Sequence, residues 1–129
     1  MKIIALFAAV LLSGCSALNT VQGWIPSFWD DNQSAKITDV RQSIAQIACD
    51  QPQAAQAQRI LDQLEWFDLY SQSKGLRQQD VQRIIEPIQG TAKEWRARGD
   101  GGSKVYCEIK KRILTEQAAR AATAILGRF

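Results

Sequence analysis

Val81, Ile84, Ile85, Ile88, Ala92 and Trp95 fall three and four residues apart, a spacing that commits this segment to a helix with one apolar face. It is the cleanest amphipathic signal in the chain. A strand would require apolar residues at alternate positions, and β-branched runs of that kind are absent, whereas alanine, glutamine and arginine are abundant.

The same period recurs on both sides of that helix. Ile37, Val40, Ile44 and Ile47 mark a first helix from about residue 33 to Ala48. Asp50, with Pro52 and Gln53 behind it, resembles a capping box and opens a second helix of about 24 residues. Ala57, Ile60, Leu61, Leu64, Phe67 and Asp68 follow its face, and Lys74 then Gly75 close it. Asp80 is placed to cap the third helix, which Pro87 is expected to kink or break over 83–87. Gly99, Asp100, Gly101 and Gly102 read as a flexible loop, and Ser103 as the cap of a fourth helix. Tyr106, Ile109, Ile113, Ala118, Ala121, Ile125 and Leu126 trace that helix's expected buried side. Four helices with short connections favour an all-α fold, a small antiparallel four-helix bundle over residues 33–129.

The first residues belong to something else. Lys2 precedes an uncharged apolar run over 3–12, about the length of a signal h-region and half of what a membrane-spanning helix needs. Leu12, Ser13, Gly14 and Cys15 close it, and this tetrapeptide resembles the lipobox of bacterial lipoproteins. The resemblance covers only the first sixteen residues. It implies that residues 1–14 are a signal peptide cleaved before Cys15, whose sulfur carries a diacylglycerol with acyl chains such as palmitate. Two or more such chains anchor a protein stably. Ser16 stands where an aspartate would favour inner-membrane retention, so the resemblance points to the outer membrane, with the protein facing the periplasm. Residues 15–32 then form a lipidated tether with an aromatic segment.

With Cys15 committed to lipid, Cys49 and Cys107 remain, in a chain sent where disulfides persist. Pairing is the expectation, and an intermolecular bridge or two free thiols are the alternatives. In an up-down-up-down bundle the first helix ends at the pole where the fourth begins, which brings the two cysteines together.

Chemistry-bearing motifs are sparse. The chain has no histidine, so zinc and haem sites of the usual kind are not expected, nor is any other metal or cofactor. Asp62, Glu65 and Asp68 stand at helical spacing, a pattern that usually marks a solvated polar face rather than an acid–base pair. Ser73 and Lys74 are adjacent on a helix, so their side chains diverge. No catalytic residue is assigned.

Three groups are candidates for contact. Trp24, Phe28 and Trp29 lie within reach of the bilayer surface and serve either as a membrane or partner contact or as a cover folded back on the bundle. Trp66, Phe67, Leu69 and Tyr70 occupy more than one face of their helix, so that neighbours bury them or part of the cluster forms an exposed patch. Lys110, Lys111 and Arg112, with Lys104, make the last helix basic. Residues 15–90 hold six Lys or Arg against nine Asp or Glu, and residues 91–129 hold nine against four. That asymmetry suits anionic headgroups or an acidic partner, or is simply a solvated face, and nucleic acid is not expected.

The sequence thus reads as a non-enzymatic, lipid-anchored envelope protein, a small helical adaptor whose partner is another, unidentified envelope protein. Alternatives are a phage- or mobile-element-encoded lipoprotein acting in host lysis or superinfection exclusion, and a peptidoglycan-active envelope enzyme.

Overall fold

The computed structural model describes residues 30–74 and 79–128. Cys15, Ser16, Trp24, Phe28, Trp29 and Gly75 lie outside the described residues. Among the described residues four helices follow one another: α1 (Asp31–Ala45), α2 (Gln53–Lys74), α3 (Gln79–Arg98) and α4 (Lys104–Leu126). A short 3-10 turn, Gly99–Gly101, joins the last two. Each helix packs on its neighbours in sequence, and α1 packs on α4 to close the ring. The result is the antiparallel four-helix bundle expected from the apolar spacing.

Local chemistry sets the helix ends. Asp30 holds an extended conformation and its carboxylate accepts from the backbone amides of Asn32 and Gln33 at 2.9 and 3.1 Å, so α1 starts two residues earlier than its apolar stripe alone suggests. The helix stops at Ala45 rather than Ala48. Residues 46–52 turn instead, with Ile47 donating to the Ile44 carbonyl and Gln51 to that of Ala48. This places Cys49 outside the helix, free to reach α4. Ser103 caps α4 as expected, its hydroxyl accepting from the Tyr106 amide.

Four expected features take another form. Gln53 does not return to Asp50 in a capping box, but turns into the bundle and is nearly buried. The first turn of α2 is capped from a distance, because the Asp100 carboxylate accepts from the Ala54 amide at 2.8 Å. The glycine-bearing segment is therefore an ordered turn docked on α2, with Gly99 at φ +68° supplying the reversal. Asp80 lies in the first turn of α3, one residue inside the helix, where it pairs with Arg128 at 3.1 Å. Pro87 sits within one continuous α3 and does not divide it.

The core fills from all four helices. Ile37, Val40 and Ile44 of α1 face Ile60, Leu64 and Phe67 of α2, Ile85, Ile88 and Trp95 of α3, and Leu114, Ala118 and Ile125 of α4. Each of the larger side chains, removed from water, contributes about 1.5–3 kcal/mol. The α4 stripe is rotated from the expected one. Ile109 is 41% exposed and Leu126 is also exposed, while Cys107, Lys110, Leu114 and Ala122 are buried. The cause is Cys107, which must face the end of α1. The disulfide Cys49–Cys107 joins the two at a Cα separation of 5.7 Å, and residues 110, 114, 118, 121 and 125 continue the face that Cys107 begins.

Candidate functional site

The bundle has two unlike poles. At one, α1 ends, α4 begins and the disulfide lies; beneath it Trp95 is fully buried, and its indole N–H donates to Gln53 Oε1 at 2.9 Å. The other pole gathers the starts of α1 and α3 and the ends of α2 and α4. Lys74 pairs with Asp30 at 3.7 Å and Arg128 with Asp80, so both described ends of the chain are fastened there. Burial lowers the Arg128 pKa, and Asp80 partly offsets this.

Asp30 is the centre of this second pole. Besides capping α1, its carboxylate accepts from the Tyr70 hydroxyl at 2.9 Å, and Asn32 donates to that same hydroxyl oxygen at 3.0 Å. Tyr70, and secondarily Asp30, hold the Lys74 ammonium above its ordinary pKa of 10.5. Tyr70 is thus a strut between the start of α1 and the end of α2.

Trp66 completes the site. Its ring stacks on Tyr70 at 4.6 Å with an interplanar angle of 11°, and meets Phe67 edge-on at 5.6 Å. Lys36 of α1 lies 5.4 Å from the Trp66 ring centre, and Lys74 lies 5.3 Å from that of Tyr70. Together Lys36, Trp66, Tyr70 and Lys74 form a ladder along the α1–α2 seam. Phe67 is buried, Trp66 and Tyr70 are half-buried, and Leu69 beside them is 60% exposed. The sequence cluster is therefore split between core and surface. Asp30 and Lys36 join it unannounced, although an aspartate directly before a helix is a readable cap signal.

The basic segment of α4 divides too. Lys110 is buried along its stem and reaches Glu94 at 2.7 Å, with its ammonium 5.4 Å from the Tyr106 ring centre. Lys111 donates to the Ile47 carbonyl at 2.8 Å, which helps hold the turn carrying Cys49. Both lysines are thus engaged within the fold, Lys110 with Glu94 and Lys111 with the turn before α2. Arg112 alone of the three is exposed.

Two of the three carboxylates singled out above, Glu65 and Asp68, line an open polar groove of about 320 Å³ between α2 and α3, while Asp62 accepts from Gln58 on the surface. Glu65 and Asp68 share it with Lys93 and Arg96, and Asp68 already accepts from Gln89 at 2.7 Å. Among the described residues no group of histidine, cysteine and carboxylate side chains is arranged to hold a metal ion. No described helix is long and apolar enough to cross a membrane. Compared with family models, curated proteins and solved structures, the chain matches none of them.

Proposed function

We propose that the protein is a non-enzymatic adaptor held at the outer membrane by lipid on Cys15, and that its partner docks on the α1–α2 seam around Trp66. The observation that carries this reading is the fixed, half-open Trp66. Its ring is held by Tyr70 on one side and Lys36 on another, yet its indole N–H has no partner among the described residues. An aromatic already ordered in this way loses little entropy on binding, and such residues, beside an exposed Leu69, are typical anchors of protein contacts.

The lipoprotein part of the reading comes from the lipobox resemblance at Leu12 to Cys15. Residues 16–29 span at most about 50 Å when extended, against about 34 Å for the length of α4, so the seam stays within a bundle length or two of the bilayer.

The experiment is a photo-reactive side chain at Leu69 in living cells, with and without Trp66→Ala. One crosslinked species that disappears in the Trp66→Ala background while the protein stays folded is the expected result. Crosslinking that ignores the substitution overturns the docking site. Replacing Cys15 by serine should release the protein from membranes or leave its precursor uncleaved, and unchanged attachment with normal processing overturns the lipid anchor.

A further inference from the structure

The ring order of the helices sets the α3–α4 face opposite the α1–α2 seam, and that face carries a groove of about 380 Å³. It lies toward the pole where α3 begins and α4 ends. Arg83 is one turn inside the start of α3, and Arg120 and Ala124 lie within two turns of the end of α4. Ile84, Pro87, Ala121 and Ala124 give the groove an apolar lining, and Arg83 and Arg120 flank it. Neither arginine has an ion pair or hydrogen bond among the described residues, and no acidic residue lines the groove. The α2–α3 groove, by contrast, mixes Glu65 and Asp68 with Lys93 and Arg96.

Two further details point to a ligand with both polar and apolar parts. Pro87 has no N–H to give the Arg83 carbonyl, so the helix leaves that acceptor without its usual donor. In the groove wall Gln117 Oε1 is shielded from solvent and has no donor. A glycerol hydroxyl would supply one once the amide turns outward, while a phosphate would bridge the two guanidinium groups.

We propose that this groove takes the headgroup and first methylenes of an anionic phospholipid of the protein's own membrane, seating the bundle on the bilayer by its α3–α4 face. Trp66 then points away from the bilayer, toward a partner. The proposal rests on the lipoprotein reading for its source of lipid, and the test separates the two.

The natively processed protein, in a nonionic detergent, is titrated with dihexanoylphosphatidylglycerol and with dihexanoylphosphatidylcholine while backbone amide shifts are followed. Saturating shifts at Ile84, Ala121 and Ala124 with the anionic lipid are expected. Because each basic residue near an anionic surface is worth about 1 kcal/mol, the double variant Arg83→Gln/Arg120→Gln should bind about thirtyfold more weakly. Equal binding of the two lipids, unchanged affinity of the double variant, or shifts confined to the α1–α4 groove around Thr38 and Ala119 would each overturn the proposal. The mass of the N-terminal peptide reports on Cys15 independently. An unlipidated chain that still prefers the anionic lipid overturns the anchor alone, and a lipidated chain without that preference overturns the groove alone.

Discussion

Replacing Gln53 by leucine tests the disulfide-bearing pole at its most specific point. Gln53 Nε2 donates to the Gly102 carbonyl at 2.8 Å while its Oε1 accepts the Trp95 indole N–H, so one amide ties α2 to both α3 and the start of α4. Leucine keeps most of the volume and removes both bonds. Trp95 is fully buried, so its orphaned N–H costs about 1–3 kcal/mol, and the partly exposed Gly102 carbonyl adds about 1 kcal/mol because water can reach it. The sum, about 2–4 kcal/mol, is a large share of the 5–15 kcal/mol that holds a typical domain together. With a urea slope of about 2 kcal/mol per molar, the unfolding midpoint should fall by about 1–2 M. Gln58→Leu is the control, since its bonds to Asp62 and Arg96 lie on the surface and should be worth less than about 1 kcal/mol. Trp95→Phe in both backgrounds should reveal a coupling of about 1 kcal/mol or more with Gln53. If Gln53→Leu costs no more than Gln58→Leu, the reasoning about this pole is wrong.

Other substitutions test other joints. Cys49→Ser/Cys107→Ser opens a loop with a sequence separation of 58 and should lower stability by about 4 kcal/mol in chemical denaturation; a loss under 1 kcal/mol would contradict the constraint. Asp30→Ala removes the cap of α1 and the acceptor for Tyr70, costing about 1–2 kcal/mol, and hydrogen exchange should quicken at the Asn32 and Gln33 amides. Unchanged exchange at both would count against the cap. Pro87→Ala should stabilise by about 1–3 kcal/mol in thermal melts, because alanine restores a helical donor at an exposed position; a lower melting temperature would refute a continuous α3.

Much of the bundle was legible because its cores are simple periodic stripes. Residues 37, 40 and 44, then 57, 60, 61, 64 and 67, then 81, 85, 88, 92 and 95, are buried as their spacing requires. The fourth stripe misled because α4 is apolar on several sides, with Val105 and Ile109 competing against Leu114. Cys107 held the missing phase: a cysteine that must meet Cys49 fixes which side of α4 faces inward. Lysine at position 110 masked that phase, since a long stem can be buried while its ammonium reaches Glu94. The polar joints were less legible for a different reason. Gln53 with Trp95, Ala54 with Asp100 and Tyr70 with Asp30 are each separated by 40 residues or more, and side-chain bonds at that range leave no local pattern.

The distant cap of α2 bears on the order in which this chain can acquire its structure. A helix with its own capping residue can settle as soon as it is made, but the first turn of α2 waits for Asp100, and Gln53 waits for Trp95 and Gly102. Cys49 waits for Cys107. All three depend on one stretch, residues 95–107, which follows the segments it completes in synthesis. A chain truncated before that stretch would lose the Asp100 cap, both Gln53 bonds and the covalent link at once, all of them at the disulfide-bearing pole.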